Sequence, residues 1–170
     1  MSSTSEEHHR VARSGGPIRV GIVTISDSRT PETDVNGQFL RERLSDLRHV
    51  VAGYSVVPDE PPLITRALDE MVADAARIVL FNGGTGIASR DTTFDVLSAM
   101  LERPLPGFGE LFRMLSYAEI GPSAMLSRAT AGTYKGALVF SMPGSPAAVR
   151  LAWEQMIEPE LDHLAWQLTK

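Results

Sequence analysis

The residues best suited to chemistry lie in a glycine-rich segment, residues 83–86, which follows a short apolar run and precedes Arg90 and Asp91. Three glycines within four positions let the backbone approach a ligand closely, and consecutive backbone N–H groups there form a concavity suited to an anion. A helix predicted to begin near Asp91 or Thr92 would add the partial positive charge of its N-terminus. The segment therefore predicts a phosphate-binding loop.

The spacing of this loop does not match the common nucleotide-binding motifs. A Walker loop needs Lys followed by Ser or Thr after the glycines, and a dinucleotide fingerprint needs a third glycine where Ser89 stands. The same residues would also suit a plain strand-to-helix connection in which Asp91 caps the helix. Other segments must decide between these two interpretations.

Three further polar clusters follow predicted strands: Ser26 with Asp27, residues 58–60 around Asp59, and residues 143–145. Asp59 and Asp91 are the strongest candidates for metal-assisted chemistry, because Mg²⁺ prefers oxygen ligands and usually takes one or two carboxylates. Asp59 also has a structural alternative, because it lies among prolines, where Asp is ordinary in turns. A third acid, Asp95, is spaced to form a capping box with Thr92.

The elements that must position these clusters alternate between strand and helix. Continuous apolar runs predict buried strands at residues 18–26, 50–57, 78–81 and 137–142. Helical spacing of apolar residues predicts helices at 36–47, from Pro61 or Pro62, at 92–101, at 108–120, and in a C-terminal stretch restarted at Pro159. This order predicts an α/β fold with a mostly parallel sheet covered by helices on both faces. The polar clusters would then share the edge formed by the carboxyl ends of the strands.

The composition limits the class of protein. The 170 residues, 43% of them hydrophobic, fit a single domain with a full core. A net charge of −5 argues against general nucleic-acid binding, and no apolar stretch reaches the roughly 20 residues of a membrane span. The absence of cysteine excludes disulfides and thiolate metal sites and fits the cytoplasm. Residues 1–17 are polar and are predicted to form a flexible tail, so the folded domain would span residues 18–170.

Six motifs in order resemble the MoaB/Mog family of molybdenum cofactor biosynthesis proteins. They are Ser26-Asp27, Pro58-Asp59-Glu60, Gly83-Gly84-Thr85-Gly86 with Arg90-Asp91, Pro106-Gly107-Phe108-Gly109-Glu110, Ser127-Arg128, and Pro143-Gly144-Ser145-Pro146. The resemblance runs from about Ile18 to the C-terminus. It implies a single-domain, three-layer α/β/α fold that binds molybdopterin and forms trimers or hexamers. In active members it implies transfer of AMP from ATP to molybdopterin with Mg²⁺.

The resemblance also implies roles for particular residues. Asp59 and Asp91 correspond to the family's catalytic carboxylates and would hold Mg²⁺, and a molybdenum-insertion protein is an expected partner. The segments expected to bind the substrates contribute Ser26, Asp27, Gly83, Gly84, Thr85, Gly86, Arg90, Ser127, Arg128, Pro143, Gly144 and Ser145. Arg128 would equally suit a surface ion pair. The chain departs from the family pattern at Phe81-Asn82 and at Phe94.

Two other functions remain open at this level. A non-catalytic member that binds a pterin or a protein partner would account for the departures at Phe81-Asn82 and Phe94 and for the additional N-terminal tail. A pterin carbinolamine dehydratase would need a general acid and base, commonly His. The candidates for that role, His49 and His163, lie in helix-flanking positions with no supporting cluster.

Overall fold

A computed structural model describes residues 15–170, so the tail expected over residues 1–17 lies outside the described residues except for its last three. The described chain forms one six-stranded sheet in the order β2-β1-β3-β6-β5-β4. The strands are β1 (Arg19–Ile25), β2 (Val50–Val57), β3 (Ile78–Asn82), β4 (Arg103–Pro104), β5 (Thr130–Tyr134) and β6 (Ala137–Met142). β2, β1, β3 and β6 run parallel, β5 is antiparallel to β6, and β4 is antiparallel to β5.

Helices cover both faces of this sheet. They are α1 (Val35–Asp46), α2 (Pro61–Ala73), α3 (Thr93–Met100), α4 (Pro106–Ile120), α5 (Pro146–Ala152) and α6 (Leu161–Gln167). Residues of α1, α4, α5 and the start of α6 join one core cluster, whereas residues of α2 and α3 join the other. The single-domain, three-layer α/β/α fold with a mostly parallel sheet is therefore confirmed.

The alternation of side chains along the central strands divides the core between the two faces. On β3, Leu80 packs into the cluster under α1 and α4, and its neighbour Phe81 packs into the cluster under α2 and α3. Because both faces are covered, the strand is apolar at successive positions. This is why a continuous apolar run identified the central strands, and the observed bounds of β2 and β6 match the predicted ones.

Two elements were not predicted, whereas the C-terminal stretch is interrupted near Pro159 as expected. β4 has only two residues and contains Pro104, and β5 includes Gly132 and two threonines, so neither carries a strong apolar pattern. A Cβ on Gly132 would lie 2.6 Å from the Arg103 carbonyl oxygen, so glycine allows β4 to pair closely. The C-terminal stretch is broken by a π-helical turn (Trp153–Ile157) and a 3₁₀ turn that contains Pro159 before α6 begins.

The order of the strands determines where a ligand can enter. β1 lies between β2 and β3, so the chain leaves β1 toward one side of the sheet and later returns on the other. The loops that follow β1 and β3 therefore diverge, which opens a crevice at the carboxyl ends of these strands. None of the helices described here is long and apolar enough to cross a membrane.

Candidate active site

A cleft of ≈ 460 Å³ lies at this edge of the sheet. It is bounded by the loops after β1, β3 and β6 and by the turn that follows the 3₁₀ segment Gly121–Leu126. Of the residues expected at the site, those that line it are Ser26, Gly83, Gly84, Thr85, Gly86, Asp91, Ser127, Pro143 and Gly144. Asp27, Asp59, Arg90, Arg128 and Ser145 lie behind or beside this lining, as the contacts below show.

The glycine loop follows β3 directly, and its backbone requires glycine. Gly83 and Gly84 have φ values of +104° and +65°, which side chains rarely adopt. A Cβ on Gly84 would overlap Asp59 Oδ2, and one on Gly86 would lie 2.6 Å from Asp91 Oδ2. The absent side chains thus let both carboxylates lie against the loop. Within the described residues, no hydrogen bond engages the backbone N–H groups of residues 84–86.

Asp59 is buried beneath this loop and binds the start of α3. Its Oδ1 accepts hydrogen bonds from the Thr92 N–H (3.1 Å), the Thr92 hydroxyl (2.7 Å) and the Thr93 hydroxyl (3.2 Å). The Thr93 N–H donates to the Gly84 carbonyl at 3.1 Å. The expectation that these helix N–H groups face the ligand is therefore wrong, because the anion at this helix N-terminus is Asp59 itself.

Asp91 lies on the other side of the loop and lines the cleft. Its Oδ2 accepts a hydrogen bond from the Ala88 N–H at 3.1 Å, and its own N–H donates to the Ala88 carbonyl at 2.9 Å. Asp91 therefore closes a local turn instead of capping α3. The structure brings Asp59 and Asp91 to one loop, and in each carboxylate one oxygen makes no hydrogen bond within residues 15–170.

Arg128 holds the glycine loop in place. Its Nε donates to the Thr85 carbonyl at 3.1 Å, one terminal nitrogen donates to the carbonyls of Gly86 and Asp91, and the other donates to both carboxylate oxygens of Asp95 at 3.0 Å. All three nitrogens of the guanidinium therefore have protein acceptors. Because Asp95 binds Arg128 and no side chain caps the start of α3, the predicted capping box is wrong.

Arg90 and Asp27 form an ion pair outside the cleft lining. Arg90 donates to Asp27 Oδ2 at 2.7 Å, and Asp27 Oδ1 accepts from the Asp59 N–H at 3.2 Å. The hydrogen bond from Arg90 and, second, the one from Asp59 lower the pKa of Asp27 below its ordinary value. The pair connects the loops after β1, β2 and β3.

A buried amide network, which the sequence interpretation missed, connects the glycine loop after β3 to the turn at Gly144 after β6. Asn36 Nδ2 donates to Asn82 Oδ1 and to the Gly144 carbonyl, both at 2.8 Å, and Asn82 Nδ2 donates to the Thr24 hydroxyl at 2.9 Å. Asn36 and Asn82 are almost fully buried. The only sequence signal for the network was the departure from the family pattern at Asn82, which did not reveal its partner.

Arg29 and Ser28 also line the cleft and were not predicted. The Ser26 hydroxyl accepts hydrogen bonds from the N–H groups of Ser28 (3.3 Å) and Arg29 (3.1 Å). Ser26 thus shapes the turn that places these residues at the cleft. The position of Arg29, two residues after the Ser26-Asp27 pair, was the available signal.

The remaining candidates have structural contacts. Ser145 caps α5 by accepting a hydrogen bond from the Ala148 N–H at 3.2 Å. His49 Nδ1 accepts from the Ile18 N–H at 3.2 Å, at the opposite edge of the sheet, and His163 contacts Glu160 on the C-terminal segment. Neither histidine lines the cleft. Among residues 15–170, no three His, Cys, Asp or Glu side chains group as a ready metal site.

Comparison with known proteins assigns this chain to a family. The family described as "Probable molybdopterin binding domain" matches residues 21–163. Molybdenum cofactor biosynthesis protein B of Bacillus cereus is 52% identical over 153 residues, which cover 89% of this chain and 90% of that protein. A crystal structure of a molybdenum cofactor biosynthesis protein B aligns with TM-score 0.86 and 51% identity, covering 91% of this chain and 97% of that chain.

A more distant structure, described as the tungsten cofactor synthesizing protein MoaB from Pyrococcus furiosus, aligns with TM-score 0.83 and 34% identity. The alignment covers 92% of this chain and 99% of that chain. Family match, sequence identity and fold thus agree over nearly the whole described chain. The chain belongs to the MoaB/Mog family of molybdenum cofactor biosynthesis proteins.

Proposed function

We propose that this protein is a molybdopterin adenylyltransferase, which binds molybdopterin in the cleft and transfers AMP from ATP to its terminal phosphate. The observation that carries the proposal is the pairing of Asp59 and Asp91 around one glycine loop at the crevice of the sheet. In this reaction a phosphate oxygen of molybdopterin attacks the α-phosphorus of ATP. The bond between the α-phosphorus and the bridging oxygen breaks, and pyrophosphate leaves.

The main barrier to this reaction is the mutual repulsion of two anionic substrates. The backbone N–H groups of residues 84–86, which have no hydrogen-bond partner in the described chain, are oriented dipoles suited to a phosphate. No protein nucleophile is needed, because the attacking oxygen belongs to the substrate. Holding both substrates in line can contribute roughly 7 to 11 kcal/mol to lowering the barrier.

The carboxylates fit the Mg²⁺ that we propose for this site. Asp59 and Asp91 each retain one oxygen without a hydrogen-bond partner within the described residues, and both lie against the loop. Mg²⁺ usually takes one or two carboxylates and completes its shell with phosphate oxygens and water. When bound, the ion would neutralise charge that develops on the phosphate of the transferred AMP. Asp59 would hold its side of the site rigidly, because three hydrogen bonds fix its other oxygen.

The test is the release of pyrophosphate from purified protein supplied with molybdopterin, ATP and Mg²⁺. We expect pyrophosphate and adenylylated molybdopterin in equal amounts, and loss of both when Mg²⁺ is removed. Binding of molybdopterin without any release of pyrophosphate would exclude the enzymatic function. That result would favour the second candidate, a non-catalytic pterin-binding member.

The departures that motivated the second candidate lie outside the cleft lining. Asn82 belongs to the buried amide network. The centroid of the Phe94 ring lies 4.8 Å from the guanidinium carbon of Arg128. Both residues support the loops from behind, so they give no reason to expect a lost activity. The dehydratase alternative has no support, because neither His49 nor His163 lines the cleft.

We also propose that the chain assembles as a homotrimer or hexamer and works with a molybdenum-insertion protein. An apolar groove of ≈ 580 Å³ runs along α4 and the following turn, and its side chains are exposed: Met114 by 61%, Tyr117 by 61% and Met125 by 73%. Exposed apolar grooves often mark interaction sites, and we assign this one to a second copy of the chain. Light scattering should then give the mass of three or six chains, and Met114→Glu should reduce it.

A further inference from the structure

We propose that Arg29 is the side chain that binds the phosphate group of the ligand in the cleft. Two other arginines, Arg90 and Arg128, were expected in this role from the sequence. Arg90 is paired with Asp27, and all three guanidinium nitrogens of Arg128 donate to protein acceptors. The identity of the ligand rests on the proposed function, whereas the assignment of Arg29 rests on the contacts described next.

Arg29 is the one cation in the cleft lining formed by the described residues. Its guanidinium makes no hydrogen bond within residues 15–170, although its side chain is only 29% exposed. A guanidinium with unused donors beside a cleft is suited to a phosphate, because its planar fork matches two phosphate oxygens at once. The contrast with Arg128, whose three guanidinium nitrogens all have protein acceptors, separates a residue that holds the loop from one that can hold a ligand.

Contacts fix the backbone of Arg29 and leave its guanidinium available. The Ser26 hydroxyl binds the Arg29 N–H at 3.1 Å and so positions the backbone. Behind the guanidinium lies Asp34, which is fully buried. Its Oδ2 accepts a hydrogen bond from the Tyr54 hydroxyl at 2.8 Å, and its Oδ1 has no hydrogen-bond partner in the described chain.

Asp34 Oδ1 lies 3.8 Å from the nearest Arg29 nitrogen. Charge-assisted hydrogen bonds between such groups are typically about 2.7–2.9 Å, so the attraction orients the guanidinium without using its donors. A buried carboxylate is costly unless a cation faces it, which explains why the Arg29 guanidinium lies near Asp34. Asp34 is therefore a positioning residue for Arg29.

The charge of the site also calls for a cation. The protein carries a net charge of −5, and the cleft lining includes the carboxylate of Asp91. A phosphate entering this space meets the backbone N–H groups of the glycine loop on one side. On the side of the loop after β1, Arg29 supplies the full positive charge that those dipoles lack.

The competing explanation is that Arg29 only neutralises Asp34. In that case Arg29→Ala would lower the melting temperature and leave the affinity for phosphate compounds unchanged. The two roles are separated by measuring binding directly, with inorganic pyrophosphate as the probe and calorimetry as the method. The variants are Arg29→Ala, Arg29→Lys and, as a matched control, Arg66→Ala, since Arg66 is an exposed arginine on α2 whose ion-pair partner within residues 15–170 is Glu70.

We expect Arg29→Ala to weaken pyrophosphate binding by about 10-fold or more, as for loss of hydrogen bonds to a charged group. Arg29→Lys should restore part of the affinity because it keeps the charge without the planar fork. Arg66→Ala should bind as the wild type does. Equal affinity of Arg29→Ala and wild-type protein, or failure of the wild type to bind pyrophosphate, would overturn the inference.

Titrations with ATP and with molybdopterin then identify the source of the phosphate. A loss limited to ATP assigns Arg29 to the nucleotide, and a loss limited to molybdopterin assigns it to the pterin phosphate. Either result supports the inference, and an unchanged affinity for both contradicts it. These binding measurements need no turnover, so wild-type protein that binds these compounds through Arg29 yet releases no pyrophosphate would refute only the adenylyltransferase function.

Discussion

Asp59 and Asp91 are held in different ways, although both contact the same loop. Asp59 is buried and accepts three hydrogen bonds through one oxygen, whereas Asp91 is half-buried and accepts one. The first carboxylate therefore contributes to folding as well as to the site. The second contributes mainly to the site.

The two acids should consequently give different results when each is changed to the amide. We expect both Asp59→Asn and Asp91→Asn to lower kcat by about 100-fold, comparable to the loss of one group that stabilises developing charge. Only Asp59→Asn should also lower the free energy of unfolding, by about 1 to 3 kcal/mol, because it weakens hydrogen bonds at a buried carboxylate.

Pyrophosphate release and urea unfolding measure these two effects on the same samples. Asp46→Asn is the control, since Asp46 is an exposed acid at the end of α1 whose ion-pair partner is Arg43. It should change neither quantity. Unchanged turnover in Asp91→Asn would contradict the catalytic role of that carboxylate.

Tyr54 reports on the buried charge behind Arg29. Burial first, and then its hydrogen bond to Asp34, raise the pKa of Tyr54 to about 12. Because the folded pKa exceeds the ordinary value of about 10, the stabilisation is complete below about pH 10. It is lost as the pH rises from about 10 to about 12. Phenolate absorbance should therefore show a late step that Tyr54→Phe removes, and an identical titration curve for this variant would contradict the assignment.

The sequence predicted which residues would lie at the candidate site better than it predicted their hydrogen-bond partners. Glycines and acids at strand ends identified the loop, Asp59 and Asp91, because strand order brings the carboxyl ends of parallel strands to one edge. Charge type alone did not separate Arg29, Arg90 and Arg128, since each is an arginine near a predicted turn. The three-dimensional contacts separate them. Arg29 lines the cleft, whereas Arg90 pairs with Asp27 beside it and Arg128 holds the glycine loop.

At the level of the elements, a polar contact connects the hairpin of β5 and β6 to α2. The turn between β5 and β6 places Lys135 and Gly136 at positive φ, as two-residue hairpin turns require. Lys135 Nζ and the Tyr134 hydroxyl both donate to Asp69 Oδ1 on α2 at 2.8 Å. The hairpin is thereby held against α2.

This contact should make the stability of the hairpin depend on pH. The hydrogen bond from Lys135 and, second, that from Tyr134 lower the pKa of Asp69 below its ordinary value. A lowered folded pKa gives stabilisation above about pH 4, which is lost as the pH falls through the folded pKa. Asp69→Asn should therefore reduce stability at neutral pH, by less than about 1 kcal/mol because the pair is exposed.

Urea unfolding at neutral pH and at about pH 3 measures the effect. The difference between Asp69→Asn and the wild type should be smaller at the lower pH, because Asp69 of the wild type becomes protonated as the pH falls through its lowered folded pKa. Glu70→Gln removes an exposed acid one residue further along α2 and provides the matched control. An equal loss of stability at both pH values would mean that the carboxylate charge is not involved.

The elements that could be predicted are those that lie between covering helices. β1, β3 and β6 are buried on both faces and carry continuous apolar runs. β4 and β5 form the edge of the sheet, where pairing depends on glycine and on backbone contacts that leave little apolar pattern. The break between α5 and α6 was predicted from Pro159, whereas its π-helical turn was not, because apolar spacing continues through that turn.

At the scale of the whole molecule, the cleft joins parts of the chain that are far apart in sequence. Ser26 follows β1, Asp91 follows the glycine loop, and Gly144 follows β6, yet all three line one space. The buried network of Asn36 and Asn82 connects these segments through hydrogen bonds. A ligand in the cleft would contact the ends of three central strands at once.

Binding in the cleft should therefore stabilise the entire domain and not one loop. A ligand at about 100 times its Kd contributes about 2.7 kcal/mol, which for a chain of this size raises Tm by roughly 5 to 10 °C. We expect molybdopterin to produce such a shift, and ATP to produce it only with Mg²⁺, because the carboxylates of Asp59 and Asp91 repel the nucleotide without the ion.

Thermal unfolding at increasing ligand concentration checks this expectation. Tm should rise with the logarithm of the free ligand, and EDTA should abolish the shift with ATP. Arg66→Ala should keep the full shift, whereas Arg29→Ala should reduce it for the ligand whose phosphate Arg29 binds. A shift that EDTA leaves unchanged would mean that ATP binds without the two carboxylates acting through Mg²⁺, and the proposed chemistry would lose its metal site even if the cleft binds both substrates.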